Sequence, residues 1–558
     1  MDSVLIALFS FFAYILAYRF YCRFLSKRLF CIDPSRRTPA HEFEDGVDFV
    51  PTRRGILFGH HFTSIAGAGP IVGPAIAVIW GWLPALVWVL VGSIFMGAVH
   101  DFGALVVSAR NKGQSIGEVA KDLIGSRARL LFLLLIFFAL LIVIAVFALV
   151  IGVLFISYPE TVLPVWIEMP IAIVLGFYIY KKSGSTLLAS ILALTLLYVF
   201  VYIGMFIPIE MPPFVMDNVI LTWVVVLMVY AFIASILPVW VLLQPRDYIN
   251  SHQLFVGLGL LYIALFVGRP EIVAPAVNLS PEGAPPMLPF LFIIIACGAI
   301  SGFHSLVSSG TTVKQLDNER DMPLIGYGSM LGEGVLSVMA ILACTAGFAT
   351  ASAWNEHYSS WNSAKGLGAK VGAFVEGGAN FLGAIGFSHE IAAALVAVLV
   401  ISFCATTLDT ATRLQRYVVS ELADCIGLKP LSNRYVATMV AVVSAFALSM
   451  INNGKGGLIM WPLFGAVNQL MAGLALLVIT MYLLRKAKPI VYTFIPMLLM
   501  LVFSAWAMIS NLIDFMAAEN NLLIALAAII LMLELWLIIE AVMAFKAVRV
   551  NRSLEVLK

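Results

Sequence analysis

Apolar runs of about 20 residues, the length that crosses a bilayer as a helix, recur along this chain with short polar interruptions. About fifteen segments can be marked: 3–24, 57–80, 82–109, 129–157, 165–181, 186–208, 217–244, 253–268, 288–309, 327–350, 388–411, 434–451, 457–483, 490–510 and 521–545. The segments 165–181 and 253–268 are the shortest. A further stretch, 365–387, is Gly-rich and interrupted, and reads as re-entrant or as lying at the interface. The pattern predicts an all-α polytopic membrane protein. The first run, MDSVLIALFSFFAYILAYRF, has no basic residue ahead of its apolar core, so it reads as a retained helix rather than a cleaved signal.

Glycine and proline disturb this pattern at particular places. Residues 57–80 hold Gly59, Gly67, Gly69, Pro70, Gly73 and Pro74. Each proline removes a backbone donor and clashes with the preceding turn, which predicts a non-helical stretch at 67–74. Exposed amides and carbonyls there suit a substrate or ion; the other reading is a kinked helix packed through its glycines. A second candidate break lies at 296–312, where Gly298, Gly302 and Gly310 alternate with Ser301, Ser305, Ser308, Ser309, Thr311 and Thr312 around His304. Those hydroxyls either line a polar cavity or bond helix to helix. The two segments could be corresponding halves of an inverted repeat. A third Gly- and Pro-bearing span, 456–473, carries Asn468 and Gln469, for lining or for packing.

Composition removes the soluble alternative. Hydrophobic residues are 62% of the 558 and charged residues 11%, against roughly 25% charged in soluble domains, and the mean hydropathy is +1.01. The net charge of +2 says little, but its distribution does. Of the 33 Lys and Arg, 29 fall in segments assigned to the cytoplasm: 19–56, 110–129, 181–185, 245–252, 310–326, 412–434, 484–489 and 546–558. Only Arg269, Lys365, Lys370 and Lys455 fall outside. That asymmetry predicts the N-terminus outside, the C-terminus in the cytoplasm and an odd number of spans. The chain divides into an N-terminal helix and cytoplasmic loop (1–56), a core (57–483), and C-terminal helices with a short tail (484–558).

Ionisable residues inside spans are costly and mark function or buried pairing. His60 and His61 stand beside the first break, and His304 inside the second. His100 and Asp101 lie roughly 14 Å from Arg110 along a helix, and as sequence neighbours they face different sides, so no mutual pair is expected. Asp409 precedes Arg413 by four residues, the spacing of a helical ion pair. Glu333 lies about two turns into its span, Glu534 sits in the last helix, and Arg246 with Asp247 reads as a cytoplasmic gate or cap. The candidate substrate-contacting residues are His60, His61, Gly67, Gly69, Gly73, Gly302, His304, Ser305, Ser308, Ser309, Thr311 and Thr312. The candidate proton carriers are His61, His100, Asp101, His304 and Asp409.

Six cysteines with no CxxC pair argue against a disulfide framework or structural zinc. Walker, GxSxG and HExxH motifs do not occur. The expectation is a non-enzyme with no catalytic residues, cofactor, metal or nucleic-acid partner. A membrane metalloenzyme would have to draw on His60, His61, His100 and His304.

The stretches PTRRGILFGHHFTSIAGAGPIVGP, GAVHDF, SIGEVAKDLIG, LPVWVLLQPRDY, FIIIACGAISGFHSLVSSGTT, TTLDTATRLQRY and WPLFGAVNQLMAG, spread over residues 51–473, resemble the carbon starvation protein A family. The resemblance implies a transporter of the bacterial inner membrane, induced on starvation, with the broken-helix fold of the amino acid–polyamine–organocation superfamily. It implies peptide uptake, or pyruvate uptake with a proton. Relative to longer members the chain lacks an N-terminal span and a long extracytoplasmic insert, has His100 where glutamine is common, and has TTLDTATR where they have a variant acidic motif. The leading expectation is a proton symporter for a pyruvate-like monocarboxylate, since broken-helix N-termini suit a carboxylate and histidine titrates in the useful range. Peptide or amino-acid uptake is the alternative. The expected partners are the substrate, a proton and the bilayer.

Overall fold

The computed structural model describes residues 2–182, 186–452, 454 and 456–556. Lys455 and Lys558, which enter the charge asymmetry, lie outside the described residues. Among the described residues there is no strand, only isolated bridges at Asp2–Glu271 and Thr52–Leu316. The principal helices are α1 Ser3–Leu29, α2 Arg54–Ile65, α3 Gly69–Ala77, α4 Trp82–Ala109, α5 Ser126–Ser157, α6 Val162–Lys182, α7 Thr186–Gly204, α8 Val219–Ile236, α9 Leu243–Gly268, α10 Met287–Ile294, α11 Gly302–Val307, α12 Ser329–Ala346, α13 Leu367–Gly383, α14 His389–Ile426, α15 Arg434–Ser449, α16 Gly456–Arg485, α17 Val491–Ala517 and α18 Asn521–Val556.

Eleven helices among the described residues are long and apolar enough to cross a membrane, and the bent pair α2–α3 makes a possible twelfth span. The sequence pattern marks about fifteen. The difference lies in α15, an apolar helix of 16 residues, in α10–α11, which is split, and in α7, which is not among the eleven. At 1.5 Å per residue, 16 residues reach roughly 24 Å, short of the ~30 Å hydrocarbon core. Two boundaries also move. The expected span 217–244 ends at Ile236, and a new helix starts at Leu243, which puts Arg246 and Asp247 in the first turn of α9. The stretch 365–387 contains a continuous helix, α13, packed against α3, α9, α12 and α14. Gly377 and Gly378 allow close packing against Ala343 and Val396.

Both breaks form, each shifted from its expected place. The α2–α3 pair bends by 40°, and the non-helical residues are 66–68 rather than 67–74. Pro70 cannot donate to Ala66, so α2 ends there, and Pro70 then sits in the first turn of α3 where no donor is needed. Pro74 is tolerated inside α3. Its missing N–H leaves the Pro70 carbonyl without its helical partner, and the Ser337 hydroxyl donates to that carbonyl at 3.0 Å. The second break spans residues 295–301 rather than 296–312. Gly298 turns there with φ +86, a left-handed conformation that favours glycine. Residues 302–307 are helical, and Ser308–Thr312 form a π turn.

The two breaks lie against each other. A Cβ on Gly69 would fall 2.5 Å from Cys297 Sγ, and one on Gly73 2.5 Å from the Ile294 carbonyl oxygen. One face of α12 supports both, since Ser337 bonds Pro70 and Glu333, one turn earlier, accepts the Gly298 N–H at 3.1 Å.

Candidate functional site

The breaks enclose a fully buried polar centre. His61, His100, Asp101, His304 and Glu333 all have 0% exposure. Asp101 on α4 accepts from two imidazoles, His100 Nδ1 at 2.7 Å and His304 Nδ1 at 3.0 Å. His100 and Asp101 therefore do pair. Their backbones diverge as helix neighbours, but both side chains are short enough to turn back to one point. With Nδ1 of His304 committed to Asp101, its Nε2 faces Glu333 Oε2 at 3.4 Å. Glu333 Oε1 holds the Gly298 N–H, so this amide of the second break is occupied by the protein's own carboxylate. Asn468 on α16 accepts the Phe303 N–H at 2.9 Å and donates to Ser301 Oγ at 3.0 Å. Gln469 donates to the Phe292 carbonyl at 2.8 Å. The α16 span thus ties down the break.

A second buried network lies on the other side of α2. His60 Nδ1 meets Asp247 at 2.5 Å and its Nε2 meets Thr311 Oγ1 at 3.2 Å. His61, about 100° further round the helix, meets Thr312 Oγ1 at 2.8 Å. Beside Asp247, Arg246 is also fully buried. It pairs with Asp409 on α14 and with Glu168 on α6, the latter at 3.5 Å. Tyr230 on α8 donates to Asp409 at 2.6 Å, and Ser402 to Glu168 at 3.4 Å. Arg246 and Asp247 are therefore central charges, not a peripheral cap. The Asp409–Arg413 pair does not form. Arg413 instead binds Asp48 at 2.8 Å, because Asp409 is already held by Arg246.

That Asp48 contact closes one end of the core. Arg416 also binds Asp48, at 2.8 Å, and Lys314 lies 3.5 Å over the Tyr417 ring. Burial pushes the Asp48 carboxyl up, but Arg413, Arg416 and Lys314 outweigh it and hold the group well below the usual carboxylate range. The clasp is intact at neutral pH, and its contribution disappears only as pH falls through that depressed value.

The other expected site residues divide. His60, His61, His304, Thr311 and Thr312 meet at the centre. Ser305 bonds the Gly302 carbonyl, and Ser309 bonds the Ser305 carbonyl while accepting the Ile116 N–H. These are local helix and packing contacts, and Ser309 also lines a small pocket with Ser115, Lys314 and Glu421. Gly302 presses on Met471 of α16, Gly67 on Thr407, and Gly69 and Gly73 on the α10–α11 break, so these four act through close packing. Ser308 is buried, and its hydroxyl has no hydrogen-bond partner among the described residues. The same holds for His61 Nε2, His100 Nε2 and Asp247 Oδ1, which leaves unpaired polar atoms in both networks. Glu534 is buried apart from this centre and accepts from Ser504 at 3.2 Å.

Glu168, Tyr230 and the central role of Arg246 escape the sequence reading. Glu168 carried a usable signal, an acid within the apolar run LPVWIEMPIAIV. For metal binding, donor atoms of Cys297, His304 and Glu333 lie within 4.8 Å of one another. Cys297 Sγ contacts Ser301 at 3.6 Å and Asn468 at 3.8 Å, whereas His304 Nε2 and Glu333 Oε2 have no hydrogen-bond partner among the described residues.

Eleven long apolar helices among the described residues, with one further bent pair beside buried charges and histidines, define a multi-pass membrane protein. The family model for carbon starvation protein CstA matches residues 2–356 and 347–507, and the chain belongs to that family. The "Peptide transporter CstA" of Campylobacter jejuni is 36% identical, with 90% of this chain and 79% of the relative aligned. The "Pyruvate/proton symporter BtsT" of Escherichia coli is 32% identical, over 89% and 80%. In fold, the chain resembles the Eremococcus coleocola manganese transporter with a TM-score of 0.54 at 12% identity, covering 90% of this chain and 99% of that one.

Proposed function

We propose that this protein is a secondary transporter that imports a small monocarboxylate of the pyruvate type together with a proton, in a bacterial-type inner membrane with the N-terminus outside and the C-terminus in the cytoplasm. The breaks would act as corresponding elements of an inverted repeat. The observation that carries this reading is the Asp101–His304–Glu333–Gly298 chain. A neutral His304 that donates from Nδ1 presents a lone pair at Nε2 toward a carboxylate oxygen 3.4 Å away. Two lone pairs at that distance repel, so the pair holds one proton. When that proton resides on Glu333, the carboxyl loses its charge and its grip on the Gly298 N–H weakens. The amide is then available to a substrate carboxylate at the end of a broken helix. By linkage, a proton that strengthens substrate binding is itself bound more tightly when substrate is present.

The names of several relatives favour peptide uptake as the second reading. Proteoliposomes offered radiolabelled pyruvate or a dipeptide, with and without an inward proton gradient, separate the two. Pyruvate should accumulate only with the gradient and be released by a protonophore. Dipeptide accumulation without pyruvate uptake, or pyruvate uptake indifferent to the gradient, would overturn the reading. For orientation, a reporter active only in the cytoplasm should work when fused at Lys558. Activity there from a periplasm-dependent reporter instead would reverse the topology.

A further inference from the structure

A groove of about 860 Å³ runs along α1 against α12 and the residues just before it, within the usual size of a small-molecule site. Its lining changes character along its length. One end carries Phe11, Ile15 and Leu331; the other carries Arg19, Arg23 and Lys27. These three cations are exposed. None makes a hydrogen bond or ion pair with another described residue, and no acidic side chain lines the groove.

The spacing comes from an unusual backbone. α1 leaves α-helical geometry for π turns at Ala17–Cys22 and Leu25–Leu29. With i to i+5 bonding, a step of four residues falls just short of one turn. Arg19, Arg23 and Lys27 therefore stay on one side. They climb at roughly 6 Å per step, about 12 Å in all, and the apolar part from Phe11 to Tyr18 adds about 10 Å. One leaflet's hydrocarbon is about 15 Å thick.

We infer that this groove is a binding site for one anionic glycerophospholipid, its phosphate held by Arg19, Arg23 and Lys27 and an acyl chain laid along Phe11, Ile15 and Leu331. Any exposed membrane helix meets lipid. What distinguishes this place is a concave slot with three uncompensated cations at one end and apolar side chains at the other, which fits an amphiphile with a negative head. A zwitterionic lipid brings its own cation into the same cluster and is disfavoured.

The test uses the full chain in detergent. Native mass spectrometry should find one phosphatidylglycerol retained through delipidation, with equal phosphatidylcholine failing to replace it and free inorganic phosphate failing to displace it. The triple variant R19Q/R23Q/K27Q should bind phosphatidylglycerol on the order of 100-fold more weakly, while R434Q, elsewhere on the surface, should bind as wild type does. Photoactivatable phosphatidylglycerol added to the wild type should cross-link within residues 11–27, which decides the matter even where the triple variant fails to fold. Equal retention of the two lipids, displacement by phosphate, undiminished binding by a folded triple variant, or cross-links confined to other helices would overturn the site.

Discussion

Replacing Arg246 with leucine is expected to destabilise the protein by about 3–5 kcal/mol, the cost of leaving buried charges without their partner. Arg246 is the shared counter-ion of Asp409 and Glu168, and all three lie within α-helical segments with almost no exposure. The residue also fixes α6, α9 and α14 to one another through charges rather than packing alone. The single variant should therefore unfold much earlier on heating in detergent and show little uptake. Removing the opposing charge as well separates electrostatics from lost packing. R246L/D409N should regain a large part of the stability that R246L loses, because only Glu168 then remains to be neutralised. A double variant no more stable than R246L would show that the ion pair is not what holds these helices.

The second large effect is expected at the break itself. E333Q keeps an oxygen that accepts the Gly298 N–H but removes the carboxylate proposed to share a proton with His304. Binding of substrate should survive, while gradient-driven accumulation should collapse. One coupled proton supports at most about tenfold accumulation per pH unit, so wild-type vesicles at a one-unit gradient should approach that ratio and E333Q should stay near one. H304Q should flatten the pH dependence of apparent affinity, which in the wild type is expected to weaken as pH rises. The variants should purify as folded protein, since each replaces the side chain with a near-isosteric polar one. Full accumulation and unchanged pH dependence in both, and in the double variant, would remove this pair from coupling and point to Asp101 and Asp409.

These expectations depend on contacts that the sequence reading placed incorrectly in part. Arg246 follows an apolar run and looks like the cap of a cytoplasmic end. The run actually stops at Ile236, and six residues later a new helix carries the charge inward. Asp409 and Arg413 have the spacing of a helical pair, yet each finds a closer partner on another element. His100 and Asp101 look divergent by helical geometry, yet they meet. Local spacing constrains which neighbours on one helix can touch, but it cannot weigh them against groups brought in from elsewhere in the fold. Serine and glycine at the second break illustrate the same limit. Ser305 and Ser309 bond their own helix, whereas Thr311 and Thr312 reach the histidines. Nothing in the stretch SLVSSGTT distinguishes them before α2 is packed alongside.

What the sequence determines by itself is whatever follows from backbone chemistry and solvent. Apolar runs too long for a soluble core require lipid, and helices then satisfy their own backbone. Pro70 interrupts the second run because a missing N–H and a ring clash act within four residues. Gly298 marks a turn because few other residues adopt φ +86. Histidines inside such runs announce a polar centre, since burying them without partners is costly. Tertiary structure alone decides which partners those are. Glu333 fills the second break, Ser337 completes the carbonyl that Pro74 orphans, and Arg246 draws together acids from two distant helices. Each of these pairings joins residues tens to hundreds of positions apart. Their energies come from burial and geometry that exist only once the helices have packed.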